Sequence, residues 1–104
     1  MNKFDEREKS FETKFAKDEE LQFKVAARSN KYLSEFACSK LGKSKDDQQV
    51  YTQELIKADM EEAGNEDVFR KIKKDFEKAS INFQDSEIRE EMEKALLRAK
   101  KDFQ

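Results

Sequence analysis
The chain has 104 residues, 44% of them charged and 36% hydrophobic, and its 22 basic and 24 acidic side chains leave a net charge of −2. That length suits one domain, the near-cancelled charge speaks against a nucleic-acid binder, and no apolar run approaches the roughly 20 residues that a membrane span needs. Leu, Ile, Val and Phe make up 22 of 104 residues, nine of them Phe, so any core is small and built largely on aromatic rings.

The first seventeen residues set Phe4, Phe11 and Phe15 seven and four positions apart among many charges. On a helix these three rings share one face. The stripe is too sparse to fold alone and needs another surface to bury it. A second helical pattern follows, with a natural break or fraying point near Lys17. Asp18, Glu19 and Glu20 suit its first turn. Leu21, Val25, Tyr32 and Phe36 make one apolar track, with Ala26, Leu33, Ala37 and Leu41 beside it. Gly42 supplies a left-handed stop, and Ser44 with Asp47 resembles a capping pair for a helix over about 45–63. That helix carries Tyr51, Leu55 and Ala58 on one track and Ile56, Met60 and Ala63 on the next. Gly64 ends it and Asn65 caps a third helix, whose stripe is Phe69, Ile72, Phe76 and Ala79. Residues 80–84 connect onward with Ile81 and Phe83 tucked beneath. Asp85 or Ser86 caps a last helix bearing Ile88, Met92, Ala95, Leu96, Ala99 and Phe103.

With no proline and no alternating β-branched runs, the expected class is all-α: a four-helix bundle with a mobile or overhanging N-terminal helical segment. An unbroken helix over 2–41 would span roughly 60 Å, about twice the roughly 22–29 Å of the later helices. About the first sixteen residues therefore overhang, as an exposed helix, a disordered arm, or a segment folded back over the bundle. The expected division is an N-terminal partner-binding segment, 1–17, and a bundle domain, 18–104.

Catalytic chemistry finds no agent. Without histidine the chain lacks the commonest general base, the usual metal ligand and the physiological pH switch. Cys38, alone, has no imidazole to activate it and sits on an apolar helix face, where it serves as a small hydrophobe. Neither glycine has a second one nearby, so glycine-rich phosphate loops are absent. Carboxylates fall on exposed faces without the patterns of di-iron or calcium sites. Arg70, Lys71, Lys73 and Lys74 read as the solvated side of a helix. The expectation is a non-enzyme with no cofactor and no metal, whose working surface is the N-terminal segment.

Several long strings carry a resemblance to a known family: FDEREKSFETKFAKDEELQFK at 4–24, Ala27-Arg28 followed by Asn30-Lys31, Leu41-Gly42, EEAGNEDVFRKI at 61–72 and DSEIREEM at 85–92. In these the chain resembles the zeta subunit family of alphaproteobacterial F1Fo-ATP synthases, which are ATPase inhibitor proteins. It departs by having Phe36 where Trp is expected and Gln84 where a small capping residue precedes Asp85. The resemblance implies a bundle whose mobile N-terminal segment inserts at a catalytic α/β interface of F1, near the γ shaft, and blocks hydrolytic rotation, similar in role to the mitochondrial ATPase inhibitor. Phe4, Phe11 and Phe15 would be the buried anchors, with Arg7, Glu8, Glu12 and Lys14 setting register through charge pairing. The implied partner is the F1 sector, through its α, β and γ subunits. The implied location is cytoplasmic, peripheral to the inner membrane through F1, without direct membrane insertion. Two competing roles are a non-inhibitory structural or assembly subunit of the same complex and a nucleotide-sensing helical bundle. Weak nucleotide binding has no supporting motif.

Overall fold
The computed structural model describes residues 13–61 and 66–104. After a helical turn at 13–17 come α1 (Glu19–Leu41), α2 (Lys45–Glu61), α3 (Glu66–Lys78) and α4 (Asp85–Asp102), and the described residues contain no strand. Each helix packs on the next and α1 also packs on α4, which closes a four-helix ring. The helical pattern breaks at Asp18, beside the break expected near Lys17. Asp18 takes an extended backbone (φ −104°, ψ 102°), and its Oδ1 accepts the Leu21 N–H at 3.1 Å. A side chain that caps a new helix is more useful there than one continuing an old helix.

Local signals explain the other boundaries. Gly42, at φ 71°, occupies the left-handed position after α1, and the Lys43 N–H reaches back to the Cys38 carbonyl at 3.0 Å. The Ser44 hydroxyl accepts the Asp47 N–H at 3.2 Å and starts α2. Gly64 and Asn65, the expected stop and cap between α2 and α3, lie outside the described residues. The third helix ends without glycine: Ser80 takes φ 58° and the Ile81 N–H bonds the Phe76 carbonyl at 2.9 Å, folding Ile81 under the bundle. Ala79 is consequently turned to solvent rather than completing the inward stripe. The last helix starts one residue earlier than expected. Gln84, not Asp85 or Ser86, is its N-cap, because its extended backbone offers its own N–H to Glu87 Oε1 at 3.3 Å.

The core joins Leu33, Ala37 and Cys38 of α1, Tyr51 and Leu55 of α2, Val68, Phe69, Ile72 and Phe76 of α3, and Ile88, Met92 and Ala95 of α4. Phe76 lies among aromatic partners, its ring centroid 6.0 Å from that of Phe36 and 5.3 Å from that of Phe83. Met60, expected on an inward track, is 68% exposed. A second, smaller cluster forms where α1 begins and α4 ends: Val25 and Ala99 are buried, with Phe15, Leu21, Tyr32, Leu96 and Phe103 packed around them.

Candidate partner-binding site
The stretch joining the first residues to the body is built around Phe15. The turn at 13–17 closes with the Asp18 N–H on the Lys14 carbonyl at 2.9 Å and goes no further, because Asp18 leaves helical geometry. Carbonyls at a helix end need donors from elsewhere. Here the Gln22 side-chain amide, one turn into α1, supplies them, with Nε2 donating to the Phe15 carbonyl at 2.8 Å and to that of Ala16 at 3.1 Å. The Phe15 ring is half-buried against the Val25–Ala99 cluster, and Lys100 Nζ lies 4.8 Å from its centroid. Of the candidate anchors, then, Phe15 packs on the body, Lys14 faces solvent, and Phe4, Arg7, Glu8, Phe11 and Glu12 lie outside the described residues.

The surface that receives Phe15 is itself braced. Arg28 reaches Asp102 Oδ2 at 3.4 Å, and the Tyr32 hydroxyl donates to the same carboxylate, so one acidic group near the end of α4 holds two residues of α1. The Arg98 guanidinium stacks 3.8 Å from the centroid of the Tyr32 ring, and that of Arg28 lies 5.5 Å from the Phe103 centroid. The Tyr32 hydroxyl and the Asp102 carboxylate also hold Arg28 above the ordinary arginine range. Exposed pairs contribute little singly. Together these contacts fix where the end of α4 lies against the start of α1. Sequence reading could not find Gln22, Lys100 or Asp102, because each acts on a group far away in the chain or on a backbone atom that no motif marks.

A cleft of about 420 Å³ opens elsewhere on the bundle, lined by Ala26, Asn30, Leu33, Asp59, Val68 and Met92 among others. The buried Asn30 amide donates to Asp59 Oδ2 at 3.4 Å. Burial pushes the Asp59 carboxyl above its usual range, against the pull of that hydrogen bond. Among the described residues lining it the cleft has a desolvated carboxylate and no cation to hold a phosphate, so it gives the nucleotide-sensing reading no support. The folded state keeps the Asp59 proton to higher pH than the unfolded chain does. Stability is therefore penalised as pH rises through the window from near 4 up to the raised value, and the penalty persists at neutral pH. Asp59→Asn, which keeps an acceptor for Asn30, is expected to raise Tm at pH 7. In melting curves taken across pH the gain should shrink towards zero as pH falls below that window.

Other candidate chemistry resolves into structure. Cys38 is 1% exposed, its thiol pushed up by burial with the Ser34 hydroxyl 3.8 Å away, which suits a core residue and not a nucleophile. Arg70 pairs with Asp67, Lys71 with Glu54 and Asp75, and Lys73 with Asp85, so much of the basic cluster is spent within the bundle. Among the described residues no group of three or more His, Cys, Asp or Glu side chains could hold a metal, and no helix is long and apolar enough to cross a membrane. A family model described as ATPase inhibitor subunit zeta matches residues 1–102. No curated protein matches the chain.

Proposed function
The chain belongs to the ATPase inhibitor subunit zeta family, and from that premise we propose that it blocks ATP hydrolysis by lodging residues 1–17 between the α, β and γ subunits of F1, with residues 18–104 as the holder. The observation that carries this reading is the extent of the family match, which begins at residue 1 and so takes in the aromatic segment as well as the bundle. Phe4, Phe11 and Phe15 are the anchors in this reading. Arg7, Glu8, Glu12 and Lys14 set register by charge pairing, which governs specificity and on-rate more than affinity. The chain contributes no histidine, so no imidazole of its own makes binding switch with pH. Its place is at the membrane only through F1.

ATP hydrolysis by the F1 of the same source tests this directly. Full-length protein at stoichiometric excess is expected to suppress hydrolysis, and protein lacking residues 1–12 is expected to leave it running. An uninhibited rate with the full-length chain would refute the proposal. Copurification with F1, with equal rates for full-length and shortened protein, would instead mark a structural or assembly subunit.

A further inference from the structure
We propose that Asp18 is a one-residue hinge and that Phe15, docked on the body, is a release contact: the chain holds its own anchor ring in a bent resting state and gives it up when the segment straightens onto F1. As the regulation of the site proposed above, the inference rests on that reading. The hinge itself stands on geometry.

In an uninterrupted α-helix through this region, the Phe15 carbonyl would accept the Glu19 N–H and that of Ala16 the Glu20 N–H. Both bonds are replaced here by the Gln22 side-chain amide, at 2.8 and 3.1 Å. The Leu21 N–H, which a continuous helix would direct to the Lys17 carbonyl, is taken by Asp18 Oδ1 at 3.1 Å. Three backbone groups freed by the break, the Phe15 and Ala16 carbonyls and the Leu21 N–H, thus have side-chain substitutes placed for them, and Asp18, at φ −104° and ψ 102°, has left helical geometry. Returning Asp18 to helical dihedrals would restore the helical bonds and release both substitutes. It would also redirect the 13–17 turn that carries Phe15 and so swing the ring off the Val25–Ala99 cluster and the Lys100 ammonium. A ring seated in this cluster cannot at the same moment seat in a partner. The body's own docking surface therefore competes with F1 for Phe15, and the affinity seen is that of the straight form reduced by the fraction of chain that is straight.

Gln22→Ala tests the hinge, since it deletes the substitute donor, keeps a strong helix former and leaves Phe15 untouched. Gln22→Ala/Lys100→Ala removes the ammonium over the ring as well. In the free full-length protein, Cα chemical shifts of residues 15–20 and proton contacts between the Phe15 ring and Val25 or Ala99 read the two states without any partner. The wild type is expected to show an extended Asp18 and a docked ring; the variants should move Asp18 towards helical shifts and lose the ring contacts. Binding to F1 should then tighten by roughly fivefold, the scale of one net hydrogen bond. If both variants keep Asp18 extended and the ring docked, there is no second state and the proposal fails. It fails equally if the ring is freed while binding to F1 stays the same or weakens. Absence of inhibition by the wild-type chain would count against the proposed function alone, and the shifts would still decide the hinge.

Discussion

Replacing Phe76 with alanine is expected to destabilise the bundle by about 3–5 kcal/mol, the range for deleting a fully buried ring. Phe76 is 2% exposed and touches both Phe36 and Phe83, themselves edge-to-face at 5.6 Å, so three helical or connecting segments lean on one side chain. The space vacated would be walled by α1, α3 and the 80–84 connection, which the Ile81–Phe76 backbone bond ties to the end of α3. Collapse is therefore incomplete and the cavity penalty stays. A domain of this size has about 5–15 kcal/mol of stability in all, so the variant should sit close to unfolding and melt more than about 10 °C lower. Phe69→Ala offers the contrast. That ring is buried but capped by the Arg89 guanidinium, 4.0 Å from its centroid, and the loss should be smaller because the arginine stem can settle into the gap. Urea unfolding with an unchanged slope would read both values. A Phe76 loss below about 1 kcal/mol would mean the ring is not at the centre of the core.

The helical period carried most of the fold. The stripes Phe69–Ile72–Phe76 and Ile88–Met92–Ala95–Ala99 are spaced as core faces in the sequence and are buried in the structure. What the period could not show are features that depend on a distant backbone. Ser34 looks like a surface residue on α1, yet it is fully buried because its hydroxyl donates to the Gln48 carbonyl of α2 at 3.1 Å. The connection at 80–84 is legible in the sequence, but the left-handed Ser80 that turns the chain into it is not, since a left-handed serine is uncommon and is held there by Ile81 turning into the core. At the candidate site, spacing alone puts Phe4, Phe11 and Phe15 on a common face. It does not reveal that Phe15 rests on Ala99 and Lys100 of the last helix, a contact made only once α1 and α4 are packed side by side.

Phe11→Ala is expected to weaken binding to F1 by about 1–3 kcal/mol, roughly 5- to 150-fold in Kd, as truncation of a buried aromatic anchor does, while the Tm of the free protein stays within about 1 °C. Phe11 lies outside the described residues, so this expectation comes from its spacing and from the family match over residues 1–102. Phe15→Ala should behave differently, because that ring has two surfaces to lose. In the free protein its removal bares part of the Val25–Ala99 cluster and leaves Lys100 without its ring, so Tm should fall by a few degrees. In the proposed complex the same truncation removes a proposed anchor, but it also removes the competing dock, and the two effects oppose each other in the measured affinity. Phe15→Ala should therefore cost less binding than Phe11→Ala although it costs more stability. Titrations of hydrolysis, paired with melting curves of the same samples, separate the two quantities. Should Phe15→Ala prove the more damaging for inhibition with Tm unmoved, the ring would belong to the partner alone and the docked state would be too sparsely populated to matter.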